Sequence, residues 1–410
     1  MKLYLFNMKK LAVFALALSA VLISGLSSCS RTELVESISN EELFSLNYGS
    51  FEEELNLFSL NQIGDISTGL CMRDGFFYIV NGEAHKIMEL NSYGDLLSLY
   101  YNEDSSTKKL IDSQEDVKLS VHTEIPYSFE YPGIIAADSN KNLYVLCSVP
   151  RNRQEISEDG TLLYKDVILR LSRDGSSIDY IGQQGPGGTP FPMVKNIYVT
   201  ENNELVVTTI NINGLTVYWY SADGFLKYMI PVIADTVPKI EGEQADSEVY
   251  VTIENVIPDP YADRLYVNVD YSSSYIDKAT NVQSGIQYAG TMLYPLDMKT
   301  ELYGQGVSIP PYEETVTVDY SKLTYKLPYD FLGITKNGWK FFVISTATGF
   351  DIEMIHGENQ RILRRHFNAN HSDILFHNMS LSNDGIISAM YIEPSCAKVV
   401  WYRTDKLTDN

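Results

Sequence analysis

The stretch Arg73-Asp74-Gly75-Phe76-Phe77-Tyr78-Ile79-Val80, continued by Lys86-Ile87-Met88-Glu89-Leu90, Ser92-Tyr93-Gly94-Asp95 and Leu96-Leu97-Ser98-Leu99-Tyr100, decides the fold. It reads as a polar turn, two apolar strands, a second polar turn and a third strand. The same order recurs five more times. Its first turns are Ser139-Asn140-Lys141-Asn142, Asn202-Asn203, Ala262-Asp263-Arg264, Lys336-Asn337-Gly338 and Asn383-Asp384-Gly385. Its second turns are Arg173-Asp174-Gly175, Ala222-Asp223-Gly224, Asp297-Met298-Lys299, Gly357-Glu358-Asn359 and Thr404-Asp405. From first to second turn the interval is 19 residues (Gly75 to Gly94), 20 (Asn203 to Asp223), 21 (Asn337 to Glu358) and 20 (Asp384 to Thr404). Units two and four give 33 (Lys141 to Asp174) and 34 (Asp263 to Asp297), which fits an insertion in the same inter-strand loop of each, about Arg151 to Lys165 and Ser272 to Gly290. Asp-Gly and Asn-Gly supply the positive φ that tight hairpins require.

The strands are continuous apolar runs rather than alternating ones, so both sheet faces are buried. No amphipathic helical stretch lies between them to form the crossovers of a parallel sheet. Small antiparallel sheets packed radially satisfy both facts. The expected fold is all-β, a six-bladed β-propeller of four-stranded antiparallel blades spanning residues 48–408. The last unit ends at Asp409-Asn410 without a fourth strand, and an N-terminal strand is expected to complete it, removing exposed sheet edges. The candidate is Leu55-Asn56-Leu57-Phe58-Ser59-Leu60.

Composition bounds the function. The 410 residues are 44% hydrophobic, which excludes wholesale disorder, and their net charge of −22 excludes a phosphate-backbone binder. Ahead of the repeats, Lys9-Lys10, the apolar run Leu11 to Leu18 with Val21-Leu22-Ile23, and a small-residue exit describe a secretory signal over residues 1–28, with translation from Met8 an alternative start. Leu26-Ser27-Ser28-Cys29 resembles the bacterial lipobox, which implies acylation of Cys29 and a membrane anchor. Ser30, where enteric lipoproteins retained at the inner membrane carry aspartate, favours the outer membrane by the same resemblance. Residues 29–47, with Glu33, Glu36, Glu41 and Glu42, read as an acidic tether. Cys71, Cys147 and Cys396 read as buried thiols, with one disulfide and a free thiol as the alternative.

Pro132-Gly133-Ile134-Ile135-Ala136-Ala137-Asp138 and Asn142-Leu143-Tyr144-Val145, with Ile168-Leu169-Arg170-Leu171, Gly182-Gln183-Gln184-Gly185 and Thr189-Pro190-Phe191, resemble the NHL-type propeller repeat over residues 132–194. In plan the chain is similar to bacterial six-bladed propeller lipoproteins. It resembles more loosely the eight-bladed propeller lipoprotein of the outer-membrane β-barrel assembly machinery, a non-enzymatic scaffold.

Catalytic signatures are sparse. GxSxG, HExxH and a spaced acidic calcium loop do not occur in the chain. Gly182 to Gly188 leads into Pro190 and a strand, not a helix, and reads as an inter-blade loop rather than a phosphate cradle. His366, His371 and His377 are spaced by five and six, which no single helix face accommodates, so no metal or cofactor site is expected. Asn268 and Asp270 alternate on one strand and form the best enzyme-like pair, set against a loop-capping role. Glu52-Glu53-Glu54 and the group Glu241, Glu243, Asp246 and Glu248 read as solvated surface. Ser308-Ile309-Pro310-Pro311-Tyr312 is a stiff, partly apolar inter-blade loop, and Pro310, Pro311 and Tyr312 are the candidate protein contact.

Two functions follow. One is a monomeric, lipid-anchored envelope scaffold that is not an enzyme and binds a protein partner at the rim raised by the two insertions. The other is an enzyme, lactonase-like, or a small-ligand or sugar binder that uses the central channel.

Overall fold

Seven polar turns repeat one hydrogen-bond pattern. In each of Asp138–Asn142, Thr200–Glu204, Thr335–Trp339, Ser382–Ile386, Asn91–Asp95, Ser172–Ser176 and Ser221–Phe225, the first N–H donates to the carbonyl of the fifth residue and the fourth N–H donates to the carbonyl of the first. The fourth residue has positive φ in every case: Lys141, Asn203, Gly338, Gly385, Gly94, Gly175 and Gly224. This is a three-residue hairpin loop closed by a bulge, and the residue at its start is always Ser, Thr, Asp or Asn, whose side chain can bond the loop backbone. These turns join the strands of five of the six sheets, and blade four, with its lengthened strands, turns differently.

The computed structural model describes residues 35–57, 67–103, 122–127, 130–149, 151, 154–157, 160, 163–182, 188–241, 248–277, 280, 282–318, 321–357 and 361–408. The chain divides into two compact units, Met1–Glu36 and Ser37–Asn410. Of the first, Val35 and Glu36 are described, and both are exposed. The proposed signal segment and Cys29 lie outside the described residues.

The second unit is a six-bladed propeller. The innermost strands are Thr68–Arg73, Ile135–Ala137, Met193–Val199, Val249–Pro258, Asp330–Ile334 and Phe376–Leu381, one per sheet, and in blades one to four the remaining strands follow outward in chain order. Blade one adds a fifth strand, Thr123–Pro126, parallel to Leu96–Tyr101. Middle strands such as Lys86–Leu90, Asp166–Leu171 and Ile387–Ile392 are buried at every residue, as radial packing between two neighbouring blades requires, and this buries Lys86, Glu89, Asp166, Arg170 and Ser388 along with their apolar neighbours. Between blades, clusters such as Tyr78, Val80, Ile87 and Tyr100 against Leu143, Val145 and Val167 form the core. Burying each such side chain contributes roughly 1.5–3 kcal/mol.

The ring is closed by an N-terminal strand, but not by the one expected. Glu41–Asn47 pairs antiparallel with Cys396–Tyr402 and completes blade six. The segment read as the end of a tether is therefore the first strand of the propeller. Its acidic start is compatible with pairing because an outermost strand buries one face only, here through Phe44 and Leu46. Leu55 and Leu57 are buried as their apolarity implies, yet they fill the seam between blades six and one rather than the sheet. Phe58 to Leu60 lie outside the described residues. Among the described residues, Cys71, Cys147 and Cys396 are free thiols. Burial pushes the Cys71 thiol up to about 11, which suits inert small hydrophobes.

Candidate functional site

Blade topology sorts every connection to one of two ends. In an antiparallel meander, first-to-second and third-to-fourth strand turns share one end, while second-to-third turns and inter-blade connections share the other. All the short bulged turns fall at the first end. The long insertions fall at the second.

Three hairpins rise at that second end. In blade two, Glu155–Ile156 pairs with Leu163–Tyr164. In blade four, the second and third strands lengthen to Arg264–Asp277 and Val282–Asp297. Between blades four and five, Tyr312–Val318 pairs with Ser321–Leu327. The third hairpin begins at the predicted contact, with Pro310 and Pro311 leading in and Tyr312 as its first residue. What the sequence presented as a covering loop is thus a projecting ribbon.

The register of this ribbon makes it amphipathic. Tyr312 faces Leu327, Glu314 faces Tyr325, and Val316 faces Leu323, so alternation puts five apolar side chains on one side. Glu313–Lys326 and Thr315–Thr324 occupy the other. Val316, Leu323, Tyr325 and Leu327 are 39%, 46%, 51% and 38% exposed. The tips of the other hairpins also expose apolar groups: Ile156 and Leu163, and Val282 and Ile286.

The channel offers a second arrangement. A cavity of about 740 Å³ is lined by all six innermost strands, including Asn196, Asn255, Phe331 and Asn378. Asn196 and Asn255 sit at bulges, where their side-chain oxygens accept the N–H of Ile197 and Val256, each at 2.9 Å. The residue preceding each of these four lining groups is charged or titratable: Lys195, Glu254, Asp330 and His377. The Lys195 ammonium donates to the Glu254 carbonyl. Burial raises the Asp330 carboxyl, against the lowering influence of His377 and Lys195. Burial lowers His377, as does His371. Both rings lie against Phe350, with centroids 4.7 Å (His371) and 4.8 Å (His377) away.

The opposite mouth of the channel is tied across. Arg73 pairs with Glu201 at 2.9 Å, Asn383 donates to the same Glu201 carboxylate, and Lys336 pairs with Asp384. These links join blades one, three, five and six.

Asn268 and Asp270 fall elsewhere than a loop end or the cavity wall. The insertion lengthens their strand, so both sit within it; Asn268 is fully buried, and among the described residues neither amide atom has a hydrogen-bond partner. Asp270 accepts the Thr291 hydroxyl, and its carboxyl is pushed up to about 6, first by burial and further by Glu254 and Asp330. Of the three late histidines, His366 is set apart by its pairing with Asp351 at 2.5 Å. Gly182 and Gly188 fall between the last strand of blade two and the first of blade three, and residues 183–187 lie outside those described. Glu241 and Glu248 are exposed, whereas the Glu52 side chain is largely buried rather than solvated. Sequence reasoning missed the amphipathic ribbon, although the alternation of Lys322-Leu323-Thr324-Tyr325-Lys326-Leu327 carries it. It also missed the girdle of Lys195, Glu254, Asp330 and His377, each one residue before a cavity-lining group, which has no local motif.

The fold and channel define a six-bladed β-propeller. No family model and no curated protein matches the chain. Among solved structures it is similar to a streptogramin B lyase at 12% identity and TM-score 0.37, over 88% of this chain and 97% of that one. It is similar to a gluconolactonase of Xanthomonas campestris at 10% identity and TM-score 0.37, over 82% and 85%. It is also similar to an ulvan lyase of polysaccharide lyase family PL25 at 10% identity and TM-score 0.40, over 88% and 83%. Likeness at this level carries no argument about activity.

Proposed function

We propose that the protein is a non-enzymatic scaffold of the bacterial envelope, anchored through acylated Cys29 and docking an envelope protein at its hairpin-bearing end. The observation that carries this reading is the ribbon 312–327, whose apolar face stands in solvent. A two-stranded hairpin is marginal by itself in water, and a row of exposed Leu, Tyr and Val gains most when a partner covers it. Tyrosine is a low-entropy contact residue, which suits Tyr325 and Tyr312. Replacing residues 313–326 by a short Gly-Ser turn should leave the propeller folded and abolish recovery of the partner from cross-linked envelopes. Recovery of the same partner in equal yield would contradict the reading. Incorporation of labelled fatty acid, lost in Cys29→Ala, tests the anchor separately.

The girdle of Lys195, Glu254, Asp330 and His377 favours a second reading, a small polar ligand entering the channel. A carboxyl such as Asp270, poised near neutrality, is the kind of group acid–base chemistry uses. Lactones and sugars that raise the melting temperature of the wild-type chain but not of Lys195→Ala or Asp330→Asn would support it. An equal rise in all three proteins would exclude the girdle.

A further inference from the structure

The seam where the ring closes holds a second set of groups. Leaving blade six, the chain makes a turn at Gly49–Leu55 before blade one, and this turn is fixed from below. The fully buried Lys86 ammonium donates to the carbonyls of Phe51 at 2.7 Å, Glu52 at 3.2 Å and Glu54. Asn81 accepts the N–H of Asn56 at 2.7 Å and donates to the Asn56 carbonyl at 2.6 Å. Glu52 is thereby presented on a rigid backbone to His122 and Glu124, which flank the start of blade one's fifth strand.

One ligand atom from each of Glu52, His122 and Glu124 lies within 4.8 Å of the other two. The His122 side chain is 7% exposed and that of Glu52 is 13% exposed. His122 Nε2 is 3.1 Å from Glu52 Oε2, and among the described residues neither Nε2 nor Glu52 Oε1 has a hydrogen-bond partner, although both are buried. A ring nitrogen and a carboxylate held this close without a hydrogen bond are disposed as ligands to a common centre. Donors around a four-coordinate zinc ion, bonded at about 2.0–2.2 Å, are separated by roughly 3.3 Å.

We propose that Glu52, His122 and Glu124 bind one divalent transition-metal ion, of the zinc type, which staples the closing segment to blade one. One imidazole and two carboxylates suit such an ion and leave a coordination position for water. The burial of the set makes its role structural. Removing the ion weakens the ring where its two ends meet.

The test uses the full chain, stripped with a chelator and titrated with Zn²⁺ alone. One ion should bind per chain and raise the melting temperature, and Co²⁺ should give a visible absorption band at the same stoichiometry. His122→Ala and Glu124→Gln should weaken binding by roughly tenfold or more, with circular dichroism unchanged. If His122→Ala fails to fold, Glu124→Gln decides. Absence of saturable binding at one ion per chain, or equal affinity in Glu124→Gln, would overturn the proposal and leave a Glu52–His122 ion pair only.

Discussion

The two ends of the propeller are made by the same chain under different constraints. At one, turns of three residues repeat a single hydrogen-bond pattern, and side chains reach across blades to bind neighbouring turns. Arg170, only 4% exposed, pairs with Asp179 and donates to the Ala222 carbonyl at 2.9 Å in the next blade. Gly224 of that turn has φ 89°, and a Cβ there would meet Arg170 Nη2 at 2.8 Å, so only glycine serves. Exposed apolar groups at this end, such as Tyr93 on one turn and Phe225 with Leu226 on another, lie on separate turns. At the other end, connections lengthen into hairpins, and apolar side chains align on one ribbon face. Uniform, cross-tied turns are what stability needs. The departures from uniformity are where the proposed docking surface lies.

Four changes probe that contrast, in decreasing order of effect on stability. A chain starting at Tyr48 lacks the closing strand and the contacts of Phe44 and Leu46; it should lose its single cooperative unfolding transition, as followed by circular dichroism. An unchanged transition would mean that the ring closes without Glu41–Asn47. Arg170→Ala, at the tied end, leaves neighbouring carbonyls unpaired and should cost about 2–4 kcal/mol in urea unfolding.

Asp270 gives a pH-dependent effect. Its carboxyl shifts from 3.8 unfolded to about 6 in the fold, so between those values the native state holds a proton that the unfolded chain has released. Stability therefore falls as pH rises from about 4 to about 6, by up to about 3 kcal/mol, and levels off above. Asp270→Asn should remove this dependence, making the variant more stable relative to wild type at pH 7 than at pH 4. An identical difference at both pH values would contradict that assignment. Leu323→Ser, on the ribbon, should change stability by less than about 0.5 kcal/mol while reducing partner recovery.

How far the sequence discloses this molecule depends on the range of the forces involved. The bulged turns are legible because positive φ is a local demand met by Gly and Asn. Blade number follows from them. The closing strand was hidden because an outer strand needs only two inward side chains, and Glu41 and Glu42 obscured Phe44 and Leu46. Pro310 to Tyr312 mark the position of the ribbon but not its form, since Glu314 breaks the alternation of the first strand and only Lys322 to Leu327 shows it. Lys195, Glu254, Asp330 and His377 come together only when four blades meet at one channel. Glu52 and His122 likewise depend on ring closure, and no spacing rule relates them.

The two ends can be compared in one measurement. A photo-cross-linking amino acid placed at Tyr325 on the ribbon, or at the 83%-exposed Tyr93 on the opposite end, would be activated in intact envelopes. A discrete adduct with another envelope protein from position 325, and none from position 93, is the predicted result. Adducts of the same kind from both positions, or from position 93 alone, would contradict the assignment of the hairpin-bearing end as the docking surface.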